Sequence, residues 1–252
     1  MLNHPTLEKL QSLKLTGMLK ALQEQMSMTE GESLSFEERL GLLVDREVVE
    51  RDNRRLTTRL KKARLRQNAS VEDIDYRHRR GLERSLMLSL AGCQWIQKHL
   101  NAIITGPTGV GKTYLACALG QKACREGYSV IYWRLPRLLS ELTIAKGDGR
   151  YLKLLRTLER TDLLVIDDWG TTALTDGQPH DLFEILDDRY DRRSTLIAAQ
   201  LPIEHWHDII GDPTLADAIL DRLIHNAHKI DLKGESMRKK RKTLTDLNQG
   251  ST

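Results

Sequence analysis

Apolar positions in the first part of the chain recur at steps of three and four. Leu7, Leu10, Leu13, Leu15, Met18, Leu19 and Leu22 share one side of a 3.6-residue period, which predicts a helix. Gly31 to Ser33 interrupt it. Ser35-Phe36-Glu37-Glu38 then has the S-x-x-E spacing of a capping box and predicts the start of a second helix. Phe36, Leu40, Leu43, Val44, Val48, Leu56, Leu60 and Ala63 form its expected inward face. Neither proline nor a strand pattern breaks the run from Phe36 to Leu65, so one long helix or two close ones fit. From Leu100 the pattern changes. The segments 100–105, 129–133, 162–167 and 194–199 are short apolar runs, and helical patterns over 112–125, 135–145, 151–159 and 181–190 lie between them. Strands alternating with helices imply right-handed crossovers and a mainly parallel sheet. The expected organisation is a helical N-terminal domain over 1–66, an α/β domain over 67–243 with a helix near Leu82–Ala91, and a disordered polar tail over 244–252.

Composition narrows the class. The chain has 252 residues, 40% of them hydrophobic, 29% charged and only 5% aromatic. It reads as a globular protein without an aromatic-rich sugar or nucleobase platform. Cys93, Cys117 and Cys124 are odd in number and lack metal-ligand spacing, so neither a disulfide framework nor a zinc site is expected, and a cytoplasmic location is. The first residues lack the apolar run of a signal peptide, and no stretch approaches the roughly 20 apolar residues of a membrane span. His205, His207, His225 and His228 lack HExxH context and are expected at the surface or at caps.

The strongest chemical signal is Gly106-Pro107-Thr108-Gly109-Val110-Gly111-Lys112-Thr113, a full match to G-x-x-x-x-G-K-[ST]. The glycines let successive backbone amides converge, and the following helix adds its positive end. Lys112 is placed to reach the β- and γ-phosphates of ATP, and the Thr113 hydroxyl to bind Mg²⁺. An apolar run precedes the loop and a helical pattern follows it, as a phosphate loop requires. Leu163-Leu164-Val165-Ile166-Asp167-Asp168 describes a buried strand ending in two acids, at the sheet edge where α/β ligands bind. Asp167 is expected to hold Mg²⁺ and Asp168 to orient or deprotonate the attacking water.

With these residues in view, the chain resembles the IstB-like transposition helper ATPases of bacterial insertion sequences. These are AAA+ proteins related to the DnaC helicase loader. The resemblance rests on Arg54-Arg55-Leu56 with Leu60-Lys61-Lys62-Ala63, the phosphate loop followed by LACALG (115–120), DDWG (167–170), AAQLP (198–202) and the closing run 217–239. It implies an AAA+ sheet flanked by helices, behind a small helical domain, with a reduced or absent C-terminal lid. It further implies a sensor role for Gln200, an arginine finger acting in a neighbouring subunit at Arg222, and a second such candidate at Arg238. The cofactors implied are ATP and Mg²⁺. The partners implied are duplex DNA, a transposase and further copies of the chain in a ring or spiral. A helicase loader, or a DNA-binding regulator that uses ATP only as a switch, would share the same motifs.

Charge distribution indicates where DNA would bind. Residues 46–66 carry nine basic and three acidic side chains, and Arg54, Arg55, Arg59, Lys61, Lys62 and Arg66 lie along this stretch. Such a stripe suits phosphate contacts. Residues 229–242, with seven bases against two acids, form a second basic run that suits either DNA contact or solvation. The segment 137–160 has a helix–turn–helix outline matching the insertion of the initiator and helicase-loader group, in which Lys146, Arg150 and Lys153 would face DNA. No base-reading motif is visible, so phosphate and shape contacts are expected.

Overall fold

A computed structural model describes residues 5–27, 34–175 and 177–237. The chain divides into two compact units, Met1–Thr58 and Arg59–Thr252. Among the described residues, no helix is long and apolar enough to cross a membrane.

The first unit is helical: α1 (Pro5–Ser12), α2 (Thr16–Ser27) and most of α3 (Phe36–Ala63). The capping box forms as the sequence predicts. The Glu38 amide donates to Ser35 Oγ at 3.2 Å, and the Ser35 amide donates to Glu38 Oε2 at 2.8 Å. α3 is one uninterrupted helix. Its apolar face is in part a correction to the expectation of burial: Phe36, Leu40, Val44 and Val48 are exposed, whereas Leu43, Leu56 and Leu60 are partly buried and Ala63 is buried. Periodicity marks residues that share a face without naming what covers it, and here α2 docks on a different face. Gly17 lies where any side chain would strike the Arg46–Glu47 backbone. Glu47, only 6% exposed, accepts from the Gly17 and Met18 amides at 2.7 and 3.3 Å and from Arg51 Nε at 2.7 Å. A carboxylate thus satisfies the free amides at the start of α2, where the helix dipole also favours negative charge.

The second unit begins with the end of α3, then α4 (Arg84–Ala91) and the short α5 (Gln94–Gln97). The layers that follow are β1 (Asn101–Thr105), α6 (Lys112–Arg125), β2 (Val130–Arg134), α7 (Leu135–Gly147), α8 (Tyr151–Arg160), β3 (Leu163–Trp169), α9 (Gln178–Arg189), β4 (Ser194–Ala199), α10 (Trp206–Ile210), α11 (Pro213–Ile224) and β5 (Ala227–Asp231). The five strands form one sheet in the order β2-β3-β4-β1-β5, every pair parallel. All residues of β1 and β4, and all of β3 except Asp168, are buried. That is why these strands read as unbroken apolar runs: helices cover both faces of a parallel sheet. Alternate strand residues such as Ile103, Leu164, Ile166 and Ile197 pack in one cluster with Leu138, Leu158, Leu182 and Ile219 of α7, α8, α9 and α11.

β5 was not visible in the pattern. It is an edge strand in which Ile230 is the buried position, so AHKID carries no apolar run. Pairing with β1 from Asn101↔Ala227 to Thr105↔Asp231 recovers it. Asn101 ties these elements together: its side chain donates to the Arg222 and Leu223 carbonyls at the end of α11 and accepts from the Thr195 amide of β4. Arg189 is buried and holds carbonyls of Leu158, Thr161 and Ser194, which pins the loops before β3 and β4.

Glu47 generates a test. Its carboxyl is held below its ordinary value of 4.5: burial raises it, but the bonds from Arg51, Gly17 and Met18 outweigh that. A depressed acid contributes its full stability above about pH 4.5 and loses it as pH falls through the native value. Glu47→Ala should destabilise the N-terminal unit by about 1–3 kcal/mol at pH 7 in urea unfolding followed by circular dichroism. The gap to the parent should narrow below pH 4. A gap of the same size at pH 7 and pH 3.5 would contradict this role.

Candidate functional site

The phosphate loop joins β1 to α6, and its glycines do more than turn the chain. Gly106, Gly109 and Gly111 have φ of 140°, 89° and 105°, values that favour glycine. Each also lets another group approach closely. A Cβ on Gly106 would lie 2.3 Å from the Leu232 carbonyl oxygen, one on Gly109 would meet Ser236, and one on Gly111 would lie 2.6 Å from Arg80 Nη1. The segment 232–237 after β5 therefore runs along the loop. Its Leu232 amide donates to Thr105 O and its Met237 amide to Gly109 O, both at 2.9 Å. Arg80, 6% exposed, donates to the Val110 carbonyl at 2.7 Å and backs the loop with a cation.

Lys112 opens α6. Its ammonium donates to the carbonyls of Gly106 and Pro107 at 2.6 and 2.8 Å. Burial pulls its pKa down, while Asp167 and Asp168 oppose that shift. The loop meets the N-terminal end of α6, the arrangement that binds a polyphosphate.

Across the cleft stands the end of β3. Asp167 is 1% exposed and accepts from Thr113 Oγ1 at 2.8 Å and from Tyr132 Oη at 2.6 Å. Burial and the neighbouring carboxylate push the Tyr132 phenol far up, so it remains a donor. Consecutive strand residues normally face opposite ways. A register shift between Ile166 and Trp169 and a left-handed Asp168 (φ 57°) break that rule. Both carboxylates consequently line one cleft of about 160 Å³ with Thr108, Lys112, Thr113 and Gln200. Gln200, just past β4, accepts from Thr108 Oγ1 at 2.9 Å, which joins the loop to that strand. The hard oxygen donors of Thr113 and Asp167 suit Mg²⁺, so these two residues would hold it.

Two arginines also line the cleft, where the sequence pattern places neither. Arg134, the last residue of β2, reaches Asp168 through Nε. The signal for it was register, since Arg134 pairs with Asp167 across β2 and β3. Arg66, expected on the basic stripe, instead places Nη1 3.4 Å from Asp168 Oδ2 and 3.8 Å from Asp167 Oδ2. Partial burial works against its charge, but Tyr132 and the two carboxylates outweigh that and raise its pKa.

The remaining candidates lie elsewhere. Arg222 on α11 donates to Asp187 Oδ1 at 2.6 Å and stacks over the Phe183 ring, so within one chain its guanidinium is engaged outside the cleft. Arg238 falls outside the described residues. Arg54 pairs with Glu47, Arg55 with Asp52, and Arg59 donates to the Cys124 carbonyl, while Lys61 and Lys62 are exposed. Lys146 pairs with Asp181 and Arg150 with Glu141 and Asp148; Lys153 is exposed on α8.

A family model described as IstB-like ATP binding protein matches residues 8–245. The chain is 57% identical over 239 residues to the insertion sequence ATP-binding protein y4pL of Sinorhizobium fredii (strain NBRC 101917 / NGR234), across 95% of this chain and 98% of that one. It is 34% identical to the insertion sequence IS21 ATP-binding protein of Pseudomonas aeruginosa, across 94% and 88%. Among solved structures, the DnaC helicase loader is similar with a TM-score of 0.56 at 21% identity, across 66% of this chain and 97% of that one. That likeness is one of fold.

The contact between Gly106 and Leu232 can be tested. Gly106→Ala puts a methyl group against a backbone oxygen at a φ that alanine resists. It should cost more than about 1 kcal/mol in chemical denaturation and weaken ATP binding in calorimetry. Unchanged stability and affinity would contradict the geometry.

Proposed function

Because the chain belongs to the IstB-like ATP-binding family, we propose that it is an ATP-hydrolysing helper of insertion-sequence transposition. It assembles on duplex DNA and activates or directs a partner transposase. The observation that carries the chemistry is the single cleft in which Lys112, Thr113, Asp167, Asp168 and Gln200 meet. The loop amides and Lys112 bind the phosphates. Thr113 and Asp167 would hold Mg²⁺, which would supply positive charge beside the phosphates. Asp168 orients the attacking water and accepts its proton, and Gln200 turns its amide donor toward that water or the terminal phosphate. Arg222 of an adjoining copy neutralises charge that develops on the γ-phosphate, which requires it to exchange Asp187 for phosphate on assembly. Arg238 is the second candidate for that part.

Arg54 and Arg55 of the first unit, Arg59, Lys61 and Lys62 of the second, and Lys153 with Lys146 and Arg150 supply basic side chains for DNA phosphates. The pairs made by Arg55 and Arg150 are exposed and so are weak competitors for phosphate, whereas Lys146 is held by the buried Asp181. Full-length likeness to insertion-sequence proteins favours the transposition helper over the helicase loader, whose similarity spans 66% of this chain.

Turnover measured with duplex and with single-stranded DNA tests the reading. Duplex DNA should be the better stimulator, and added salt should reduce the stimulation steeply. Asp168→Asn should retain ATP binding and lose about 10²–10⁴-fold in kcat, and Lys112→Ala should lose binding itself. Stimulation by single strands alone would point to a loader. Full transposition by the Asp168→Asn protein would show that ATP serves only as a switch.

A further inference from the structure

The cleft holds one more cation than its acids need. Asp167 Oδ2 already accepts from Thr113 and Tyr132, and Asp168 Oδ2 is already engaged by Arg134. Arg66 sits beyond these at 3.4 and 3.8 Å, with its side chain 42% exposed. With Lys112 and Arg134 it makes three cations facing two carboxylates, a surplus that favours a polyanion in the same space. A guanidinium matches phosphate oxygens with two parallel donors.

Its backbone setting differs from that of Arg134, which is fixed in β2. α3 stops at Ala63, Arg64 turns left-handed with φ 51°, and the residues that follow belong to neither helix nor strand. The chain on either side of it is nevertheless anchored to α6, the helix that Lys112 and Thr113 open: the Leu65 side chain lies over Gly120, and Tyr114 Oη donates to the Ser70 carbonyl at 3.4 Å. The main chain is therefore moored beside the phosphate loop while the side chain can exchange partners. The acids that Arg66 touches end β3, the side of the cleft where the terminal phosphate and the attacking water meet in the ATP reading above.

We infer that Arg66 is a γ-phosphate ligand supplied in cis by the segment that follows α3. Its partners within the chain are Asp168 and Asp167; with ATP bound it moves to the terminal phosphate and leaves Asp168 to Arg134 and water. ADP offers it no such partner. The inference rests on the reading of the cleft as an ATP site, and it makes the stretch just past α3 responsive to the third phosphate.

Calorimetric titration of the full chain with Mg²⁺ and either ADP or a slowly hydrolysed ATP analogue tests this. Arg66→Ala should weaken the analogue about ten-fold or more and leave ADP affinity within about two-fold, because a charge-assisted bond is lost to one ligand only. Arg66→Lys keeps the charge without the paired donors and should recover part of the loss. Unaltered ADP affinity also shows that the variants fold, and a purely structural residue would weaken both ligands alike. An unchanged analogue-to-ADP ratio, or tighter analogue binding by Arg66→Ala, would overturn the inference alone. A parent protein that binds neither nucleotide would overturn the ATP reading, and this inference with it.

Discussion

The site is organised by one opposition across the sheet: a lysine held on the carbonyls of its own loop at the end of β1, and a fully buried carboxylate at the end of β3. Neither charge is tolerable in such a place by itself. Lys112 is satisfied by Gly106 and Pro107, and Asp167 by Thr113 and Tyr132. The strand order requires β4 between them, so Gln200 at the end of β4 falls into the same cleft. Parallel pairing sends all three carboxyl ends to one edge, the edge at which α/β folds bind ligands.

A second constraint shapes that edge from outside. The chain after β5 returns across the phosphate loop, bonding to Thr105 and Gly109, and Gly106 and Gly109 provide the room. Lys233 bonds in turn to the Arg80 carbonyl, and Arg80 braces Val110. The loop is thus held between the segment preceding α4 and the segment following β5. This strap lies where the loop would otherwise face solvent.

Legibility from the sequence followed burial. β1, β3 and β4 are covered on both faces and announced themselves as apolar runs. β2, next to β3, was also recognised. β5, an edge strand with one buried residue, did not show itself. The phosphate loop and the paired acids were legible because phosphate chemistry demands those residue types in that order. Arg134, Tyr132 and Arg80 were not, because their part depends on strand register and chain return. Arg66 shows a related effect: a helical period places it on a stripe, but the helix ends at Ala63 and the side chain lines the cleft. The outer face of α3 shows the converse, an apolar period that is real in sequence and exposed in the fold.

The most direct test of the account is equilibrium binding of ATP to the purified chain in the presence of Mg²⁺. Saturable binding at one site per chain, lost on removal of the Lys112 ammonium, is the predicted result. No binding of ATP at millimolar concentration by a protein that unfolds cooperatively would contradict it.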